Sequence, residues 1–274
     1  MLITNRGTSH VSLPVLADAA VDGGVDAVQV REKDLHGDEL LSAVEAVRDA
    51  VAGRAAVIVN GDLDVAQRLR VGLHLPEHAV LVEAAREILP GDMLIGRSIH
   101  SPRSAAEARD VDYVIAGHVF ATPSKRGLSA LGLDGFAAIV STAVCPVLAI
   151  GGIDEQSVTG VLSRGAHGIA VISAINNAPD PRAAARRLRA RIDDFLETEM
   201  ESQSSLTQVV LTINGKPVEL NEGTTISAFL TTKGLTERMV VVELNGSVLH
   251  RTVFSSTVLR DGDQVEMVHA VGGG

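Results

Sequence analysis

The chain has 274 residues, a formal net charge of −10 at pH 7 and one cysteine, Cys145. Its 46% hydrophobic content suffices to bury a core, and the lone cysteine excludes an internal disulfide framework. The acidic net charge and the low number of aromatic residues, five Phe and one Tyr, argue against nucleic-acid binding. No apolar run reaches the ~20 residues needed to span a membrane. We therefore expect a cytoplasmic protein without nucleic-acid or membrane partners.

Eight short apolar runs, separated by helical patterns, occupy the first part of the chain. Several runs are continuous rather than alternating, as expected for strands that are covered on both faces in a parallel sheet. The repeat predicts an α/β fold, a (β/α)8 TIM barrel over residues 1–197, although a doubly wound sheet would give the same periodicity. The predicted strands are Leu2–Thr4, Ala27–Val30, Ala56–Val59, Gly72–Leu75, Met93–Ile95, Tyr113–Ala116, Val147–Ile150 and Ile169–Ile172, and the helices between them include Gly37–Val51, Pro102–Arg109 and Glu155–Ser163.

A polar stretch at residues 198–205 follows an amphipathic helix predicted over residues 183–197. The stretch has no periodic apolar face, so we predict a flexible linker that spans about 15 Å. Beyond it the periodicity changes to that of strands, which predicts a second domain at residues 206–274.

The second domain is predicted to be a small β-grasp, ubiquitin-like fold. Asn214-Gly215 separates its first two strands, and this dipeptide is the strongest signal for a type I′ hairpin turn. A helix is predicted within Gly223–Lys233, with Thr224 as its N-cap. The predicted strands are Val209–Ile213, Pro217–Leu220, Met239–Leu244 and Val265–Val268.

A glycine pair follows the seventh predicted strand, at the end of a TIM barrel where functional groups lie. Glycines at Gly151-Gly152 let backbone N–H groups approach an anion closely, and Ser173 adds a hydroxyl from the neighbouring loop. These residues predict a phosphate-binding site. The alternative is a tight turn that binds nothing.

Two basic residues, Arg31 and Lys33, follow the second predicted strand. In an extended segment, side chains two residues apart project to the same side, so both can hold one anionic group. The alternative is a pair of solvated ion pairs with Glu32 or Asp34.

Three motifs of the barrel resemble the thiamine phosphate synthase superfamily, which comprises ThiE-type synthases and TenI-type thiazole tautomerases. They are Gln-Val-Arg-Glu-Lys at 29–33, Gly-Arg-Ser-Ile-His at 96–100 and Ala-Ile-Gly-Gly-Ile at 149–153, and the resemblance covers roughly residues 1–195. It implies a phosphorylated thiazole as substrate, and a homodimer, since the barrels of this superfamily often pair. With the strand-end residues above, the expected substrate- and phosphate-binding set is Gln29, Arg31, Lys33, Asn60, Ser98, Thr122, Ser124, Lys125, Gly151, Gly152 and Ser173.

The synthase branch binds Mg²⁺ through an aspartate directly after the strand-three asparagine and another after strand four. In this chain Asn60 is followed by Gly61, Asp62 is offset by one residue, and residues 72–78 read Gly-Leu-His-Leu-Pro-Glu-His. Neither aspartate is present, and Glu77 would need a rearranged loop to replace one. We therefore expect no metal ligand and no required cofactor, with Mg²⁺ needed only if the barrel is a synthase.

This chain resembles the tautomerase branch at Gly117-His118-Val119-Phe120. Synthases usually have proline in place of this histidine. The resemblance makes His118 the catalytic acid/base. Histidine, with an intrinsic pKa of about 6.5, suits a proton shift that converts an exocyclic-alkene dihydrothiazole into an aromatic thiazole. The alternative is a packed loop histidine. His74 and His100, also near strand ends, rank below His118.

The segment Thr122-Pro123-Ser124-Lys125 keeps a synthase reaction open. It resembles the synthase segment whose hydroxyls and lysine bind pyrophosphate. A non-enzymatic alternative is a barrel that only binds a thiazole or docks the second domain.

The second domain resembles the sulfur carrier protein ThiS. The resemblance lies in Ile-Asn-Gly-Lys-Pro-Val at 213–218, the turn Asp261-Gly262-Asp263 and the glycine terminus, which here reads Val-Gly-Gly-Gly rather than Ala-Gly-Gly. It implies that an adenylating enzyme activates the terminal carboxylate, which then carries sulfur as a thiocarboxylate. Gly273 and Gly274 form this sulfur-carrying end, because glycines pass through a narrow channel. The alternative is a tail without function.

The combined expectation is a bifunctional protein of the thiazole branch of thiamin biosynthesis. Its barrel isomerises the phosphorylated carboxythiazole tautomer, and its tail delivers sulfur to a thiazole synthase after activation by the adenylating enzyme. The alternative enzyme is a thiamine phosphate synthase, which condenses hydroxymethylpyrimidine diphosphate with thiazole phosphate and releases pyrophosphate.

Overall fold

The computed structural model describes residues 1–78, 82–122, 125, 127–204, 208–233, 235 and 240–269, and for residues 202–204 and 269 it describes the backbone alone. The chain divides into two compact units, Met1–Leu196 and Glu197–Gly274. Within the described ranges, no helix is long and apolar enough to cross a membrane.

The first unit is a TIM barrel, as predicted. Its eight parallel strands pair in chain order, and the parallel bridge between Leu2 and Val171 joins the last strand to the first. The Ile3 N–H donates to the Val171 carbonyl at 2.9 Å at this junction. Closure excludes the doubly wound sheet. The strands are β1 (Leu2–Ile3), β2 (Ala27–Val30), β3 (Ala56–Asn60), β4 (Gly72–Leu75), β5 (Ile95–Ile99), β6 (Tyr113–Gly117), β7 (Val147–Ile150) and β8 (Gly168–Ala170).

Helices surround the strands and bury one apolar stripe each against them. In α2, the buried residues Leu40, Val44, Val47 and Val51 recur every three or four positions, which is the period of one helix face. The helices of this part of the chain are α1 (Leu13–Asp22), α2 (Gly37–Val51), α3 (Leu63–Leu69), α4 (Val82–Ile88), α5 (Pro102–Glu107), α6 (Gly132–Val140), α7 (Val158–Leu162), α8 (Ser173–Asn176) and α9 (Pro181–Ser204).

Two predictions for this part of the chain are wrong. The fifth strand is Ile95–Ile99 rather than Met93–Ile95, because Ser98 finds a hydrogen-bond partner inside the barrel and a polar residue there does not end the strand. Residues 198–204 continue helix α9 instead of forming a flexible coil. They include the good helix formers Glu and Met and contain no Gly or Pro that would stop a helix.

In its described residues, the second unit is a five-stranded sheet packed on one α-helix, the predicted β-grasp. The strand order is β10-β9-β13-β11-β12, with β13 parallel to β9 and the other pairs antiparallel. Helix α10 (Ile226–Thr232) buries Ile226, Phe229 and Leu230 against it. The strands are β9 (Gln208–Ile213), β10 (Lys216–Asn221), β11 (Val240–Leu244), β12 (Ser247–Leu249) and β13 (Gln264–His269).

The type I′ turn between β9 and β10 is confirmed, since Asn214 and Gly215 both have positive φ, at 48° and 73°. The predicted N-cap of α10 is wrong by one residue. The Thr225 hydroxyl accepts from the Ala228 N–H at 3.2 Å, whereas the Thr224 hydroxyl donates to the Asn221 carbonyl. Either threonine suits a cap by type, so only the geometry separates them. The predicted Met239 and residues 205–207 lie outside the described residues.

Candidate active site

A cavity of about 1930 Å³ opens at the carboxyl ends of the barrel strands. Ile3, Ile115 and Ala170, members of the apolar cluster inside the barrel, form part of its lining. Ser124 and the tail residues Gly273 and Gly274 lie outside the described residues. The cavity brings together the remaining sequence-predicted site residues, Gln29, Arg31, Lys33, Asn60, Ser98, His118, Thr122, Lys125, Gly151, Gly152 and Ser173.

Arg31 and Lys33 form no ion pair with any described residue. Their acidic neighbours are bound elsewhere, because Asp34 pairs with Arg6, and Glu32 accepts hydrogen bonds from Thr4 and from the Arg6 N–H. The solvated ion pairs considered above are therefore not formed. Lys33 lies in a turn rather than in the extended segment that the prediction assumed, and both cations line the cavity.

The glycine pair after β7 offers hydrogen-bond donors to the cavity. Across the described residues, no hydrogen bond uses the N–H groups of Gly151 or Gly152, and Ser173 is exposed at the start of α8. Gly151 has φ +100° and Gly152 has φ +66°, so the turn favours glycine at both positions. The tight turn is therefore present with these N–H groups uncommitted, and the phosphate-binding role stays a prediction.

His118 follows β6 directly and lines the same cavity. Its backbone is fixed, because its carbonyl accepts from the Leu131 N–H at 3.0 Å and the next N–H, of Val119, donates to the Ile150 carbonyl at 2.8 Å. The Gly117–His118 peptide bond is cis. The His118 Nε2 atom is buried and has no hydrogen-bond partner among the described residues. A buried polar atom of this kind calls for an explanation, and a bound ligand is one.

The carboxylates near β3 and β4 do not fit a Mg²⁺ site. Asp62 is the N-cap of α3, where its carboxylate accepts from the Val65 N–H at 2.9 Å, and it is not among the residues that line the cavity. Glu77 lines the cavity but its carboxylate contacts His100 Nδ1 at 2.9 Å. Mg²⁺ requires oxygen ligands in near-octahedral geometry, and the described residues do not bring two free carboxylates together. No group of three or more potential metal ligands occurs among them.

Glu77 and His100 form a hydrogen bond at the cavity wall that the sequence did not reveal. Desolvation alone would raise the pKa of Glu77, but hydrogen bonds from Ser104 and His100 outweigh it and lower that pKa. The Arg97 guanidinium also donates to the Glu77 backbone carbonyl at 2.7 Å. The Glu77 carboxylate is therefore bound to protein groups at the cavity wall.

The loop after β1 also contributes to the cavity, and the sequence analysis missed it. Asn5 and Arg6 line the cavity, and Asn176 holds this loop by accepting from the Asn5 N–H at 2.8 Å. The rule that polar residues after barrel strands face the site would have selected both loop residues. The contact from Asn176, however, spans 171 positions in the sequence and has no local signal.

The comparisons with known proteins agree with this architecture. A family profile described as Thiamine monophosphate synthase matches residues 1–175, and one described as ThiS family matches residues 211–274. A protein of Thermobifida fusca named thiamine-phosphate synthase is 41% identical over 197 residues, which cover 70% of this chain and 90% of the relative. A protein of the same name from Mycobacterium tuberculosis is 39% identical over 206 residues, covering 70% and 93%.

Among solved structures, thiamine phosphate pyrophosphorylase from Pyrococcus furiosus is similar with a TM-score of 0.64 and 34% identity. The similarity covers 71% of this chain and 95% of that one.

The closed barrel, with one cavity at the carboxyl ends of its strands among the described residues, defines a TIM-barrel enzyme. The chain belongs to the thiamine monophosphate synthase family, with a ThiS-family domain at its C-terminal end. It is thus a two-domain protein of thiamine biosynthesis.

Proposed function

We propose that the barrel is a thiazole tautomerase, which isomerises the phosphorylated carboxythiazole tautomer to the aromatic thiazole. The observation that carries this proposal is His118, which lines the cavity and whose buried Nε2 has no hydrogen-bond partner among the described residues. An imidazole nitrogen that is not committed to a described protein group can serve a ligand as proton donor or acceptor.

The reaction moves one proton and releases nothing. His118 takes a proton from one carbon of the dihydrothiazole and returns a proton to the exocyclic alkene carbon, so its own protonation state is restored. Ring aromatisation makes the step downhill, and a positioned acid/base contributes roughly 10²–10⁴-fold in rate. The N–H groups of Gly151 and Gly152, the Ser173 hydroxyl and the cations Arg31 and Lys33 hold the charged groups of the substrate.

We propose that the second domain carries sulfur as a thiocarboxylate on Gly274, preceded by Gly273. Its match to the ThiS family over residues 211–274 supports this role. The proposed partners are an adenylating enzyme, which activates the carboxylate, and a thiazole synthase, which accepts the sulfur. A cytoplasmic location and a barrel homodimer remain part of the proposal.

A second candidate for the barrel is thiamine phosphate synthase. The names of relatives at 39–41% identity favour it over the tautomerase, and Thr122 and Lys125 line the cavity as that reaction requires. Against it stand the carboxylates at Asp62 and Glu77, which are bound to protein groups. The condensation joins the thiazole nitrogen to the pyrimidine methylene and expels pyrophosphate.

One experiment separates these candidates. The purified full chain is given the dihydrothiazole tautomer in D₂O, and separately thiazole phosphate with hydroxymethylpyrimidine diphosphate and Mg²⁺. The tautomerase should form aromatic thiazole that contains solvent deuterium and should release no pyrophosphate. His118→Asn should slow that isomerisation by roughly 10²-fold or more while it still binds the product.

Each other outcome has a clear meaning. Mg²⁺-dependent release of pyrophosphate would identify the synthase. Unchanged isomerisation by His118→Asn would exclude His118 as the acid/base. Ligand binding without either reaction would indicate a barrel that only binds the thiazole.

A further inference from the structure

Three residues on adjacent strands form a contact inside the barrel that the proposed mechanism has not used. The strand register aligns His74 on β4 with Gly96 on β5, and Gly96 with Tyr113 on β6. A Cβ at Gly96 would lie 2.1 Å from Cζ of Tyr113, so the absent side chain leaves the space for the tyrosine ring. The ring crosses Gly96 and reaches His74, with the ring centroids 5.7 Å apart.

Hydrogen bonds extend this contact to the cavity. The Tyr113 hydroxyl lies 3.3 Å from His74 Nδ1, and His74 Nε2 lies 2.9 Å from the Ser98 hydroxyl. His74 and Tyr113 are buried, with 1% and 7% exposure, while Ser98 lines the cavity. The three side chains therefore connect the closed interior with the ligand space.

The hydrogens of the Tyr113 hydroxyl and the His74 ring can be assigned from the hydrogen-bond partners that each group has. Burial raises the pKa of the Tyr113 phenol, so it keeps its hydrogen, and its hydrogen-bond partner among the described residues is His74 Nδ1. The phenol must therefore donate to Nδ1, because the opposite direction would leave its O–H buried and unpaired. Burial, and then the charge of Arg31, lower the pKa of His74 to about 3, so the ring is neutral and carries its hydrogen on Nε2.

We infer that Tyr113 and His74 are positioning residues that fix the Ser98 hydroxyl as a hydrogen-bond donor toward the ligand. The Nε2–H of His74 donates to the Ser98 oxygen, and the serine hydrogen is then directed to the cavity. Ser98 consequently selects a ligand group that accepts hydrogen bonds and disfavours one that only donates.

The place of Ser98 identifies the ligand group it meets, an inference that rests on the proposed function. Ser98 pairs in register with Ile115, three residues before His118, whereas the phosphate-binding Gly151, Gly152 and Ser173 follow β7 and β8. Ser98 lies on β5, two and three strands away from the ends of β7 and β8, so a ligand whose phosphate is held at those ends can place its opposite end at Ser98. The acceptor at that end is the carboxylate on the thiazole ring, so the relay recognises the carboxylate.

The direct test of the relay needs no variant. Nitrogen NMR of the full chain labelled with ¹⁵N-histidine reports which ring nitrogen of His74 carries hydrogen. The relay requires hydrogen on Nε2 and a bare Nδ1 at pH 7, and Tyr113→Phe should abolish this strict preference. Hydrogen on Nδ1, or a doubly protonated ring, in the wild-type chain would overturn the inference.

Ligand affinities test the role of Ser98. Carboxythiazole phosphate and the analogue without the carboxylate are titrated into each variant by calorimetry. Ser98→Ala should lower the affinity for carboxythiazole phosphate about 10- to 100-fold, the range for loss of a hydrogen bond to a charged group. The affinity for the analogue should change less than about twofold. Tyr113→Phe should act in the same direction to a smaller extent.

Ser173→Ala is the matched control. Both ligands carry a phosphate, so this substitution should lower their affinities equally. Equal weakening of both ligands by Ser98→Ala would overturn the carboxylate assignment. If neither ligand binds the wild-type chain, the proposed substrate is wrong, and the His74 tautomer still decides whether the relay exists.

Discussion

A Cβ on Gly151 would lie 2.4 Å from the Cβ of His118. The turn after β7 therefore limits the position of the imidazole after β6, so the glycine turn and the proposed acid/base His118 pack directly against each other. We expect Gly151→Ala to displace His118 and to lower isomerisation by about 10²-fold, the effect of a misplacement of about 1 Å. Turnover of the dihydrothiazole is the measurement.

Gly53→Ala provides the control for backbone strain. Gly53 also has a positive φ, +74°, but no atom lies within 4 Å of its added Cβ. It should lose stability, by about 1–2 kcal/mol, without loss of turnover. Similar turnover in the two variants would contradict the packing argument.

Asp62→Ala tests whether the carboxylate after β3 is structural. The substitution removes the N-cap of α3 and should lower the free energy of unfolding by about 1 kcal/mol, without altering turnover or its response to Mg²⁺. Asp64→Ala, in the same helical turn but without a capping bond, should cost less. Lost turnover with unchanged stability would instead show that Asp62 binds substrate or metal.

Replacement of the unpaired cations should weaken ligands that carry a phosphate. Arg31→Met and Lys33→Met are each expected to lower the affinity for thiazole phosphate by about 10-fold, since a hydrogen bond to a charged group is lost. They should also reduce the salt dependence of binding, measured by calorimetry at two salt concentrations. Arg103→Met is the control, because Arg103 is 88% exposed and pairs with Glu107. A comparable loss in that control would point to a general charge effect.

The buried His74 should make the barrel less stable in acid. Its pKa is about 3 when folded and 6.5 in the reference state, so only the unfolded chain takes up a proton between these values. Stability is therefore present above pH 6.5 and falls by at most about 1.4 kcal/mol per pH unit as the pH drops toward 3.

The measurement uses fluorescence of Tyr113, the only tyrosine in a chain without tryptophan, during denaturant unfolding. His74→Gln should flatten the slope between pH 7 and pH 4, whereas replacement of the exposed His36 by Gln should leave it unchanged. An unaltered slope in the His74 variant would assign the acid sensitivity to other groups.

The sulfur-carrying role predicts a defined mass change. Incubation with an adenylating enzyme, ATP and a sulfur donor should add roughly 16 Da to the full chain, as oxygen is replaced by sulfur. Gly272→Ala keeps the terminal pair Gly273-Gly274 and should still gain this mass. A variant with an added C-terminal residue should gain none, and an equal gain there would place the sulfur elsewhere.

The sequence predicts the barrel well wherever an element's apolar residues recur with the period of its structure. The bounds of β2, β4, β7 and α2 coincide with those predicted, because strands covered on both faces and a helix with one apolar stripe have distinct periods. The prediction of the fifth strand failed because its polar residues form hydrogen bonds with partners that lie far away in the chain. The prediction of a flexible linker failed because a polar composition does not distinguish an exposed helix from a coil.

Most of the candidate site's strand-end residues were predicted from the sequence, but Asn5, Arg6 and the contacts between side chains were not. Strand ends and motifs select Arg31, Gly151 and His118, since the carboxyl ends of barrel strands converge. They do not reveal that Tyr113 reaches His74, 39 residues away, because that contact depends on strand register and on the space above a glycine. Nor do they show which carboxylates are already bound to other groups.

The commitment of Glu32, Asp34 and Glu77 to protein partners leaves Arg31 and Lys33 without ion pairs to any described residue, at the cavity of an acidic molecule. An incoming phosphate ester meets the repulsion of a chain with formal charge −10 before it reaches Arg31 and Lys33. Added electrolyte shortens the range of that repulsion to a Debye length of about 8 Å near physiological strength. The rate constant for substrate association should then rise with ionic strength, while the affinity for the substrate falls. Enzymes that attract their ligands electrostatically over long distances show the opposite dependence of the association rate.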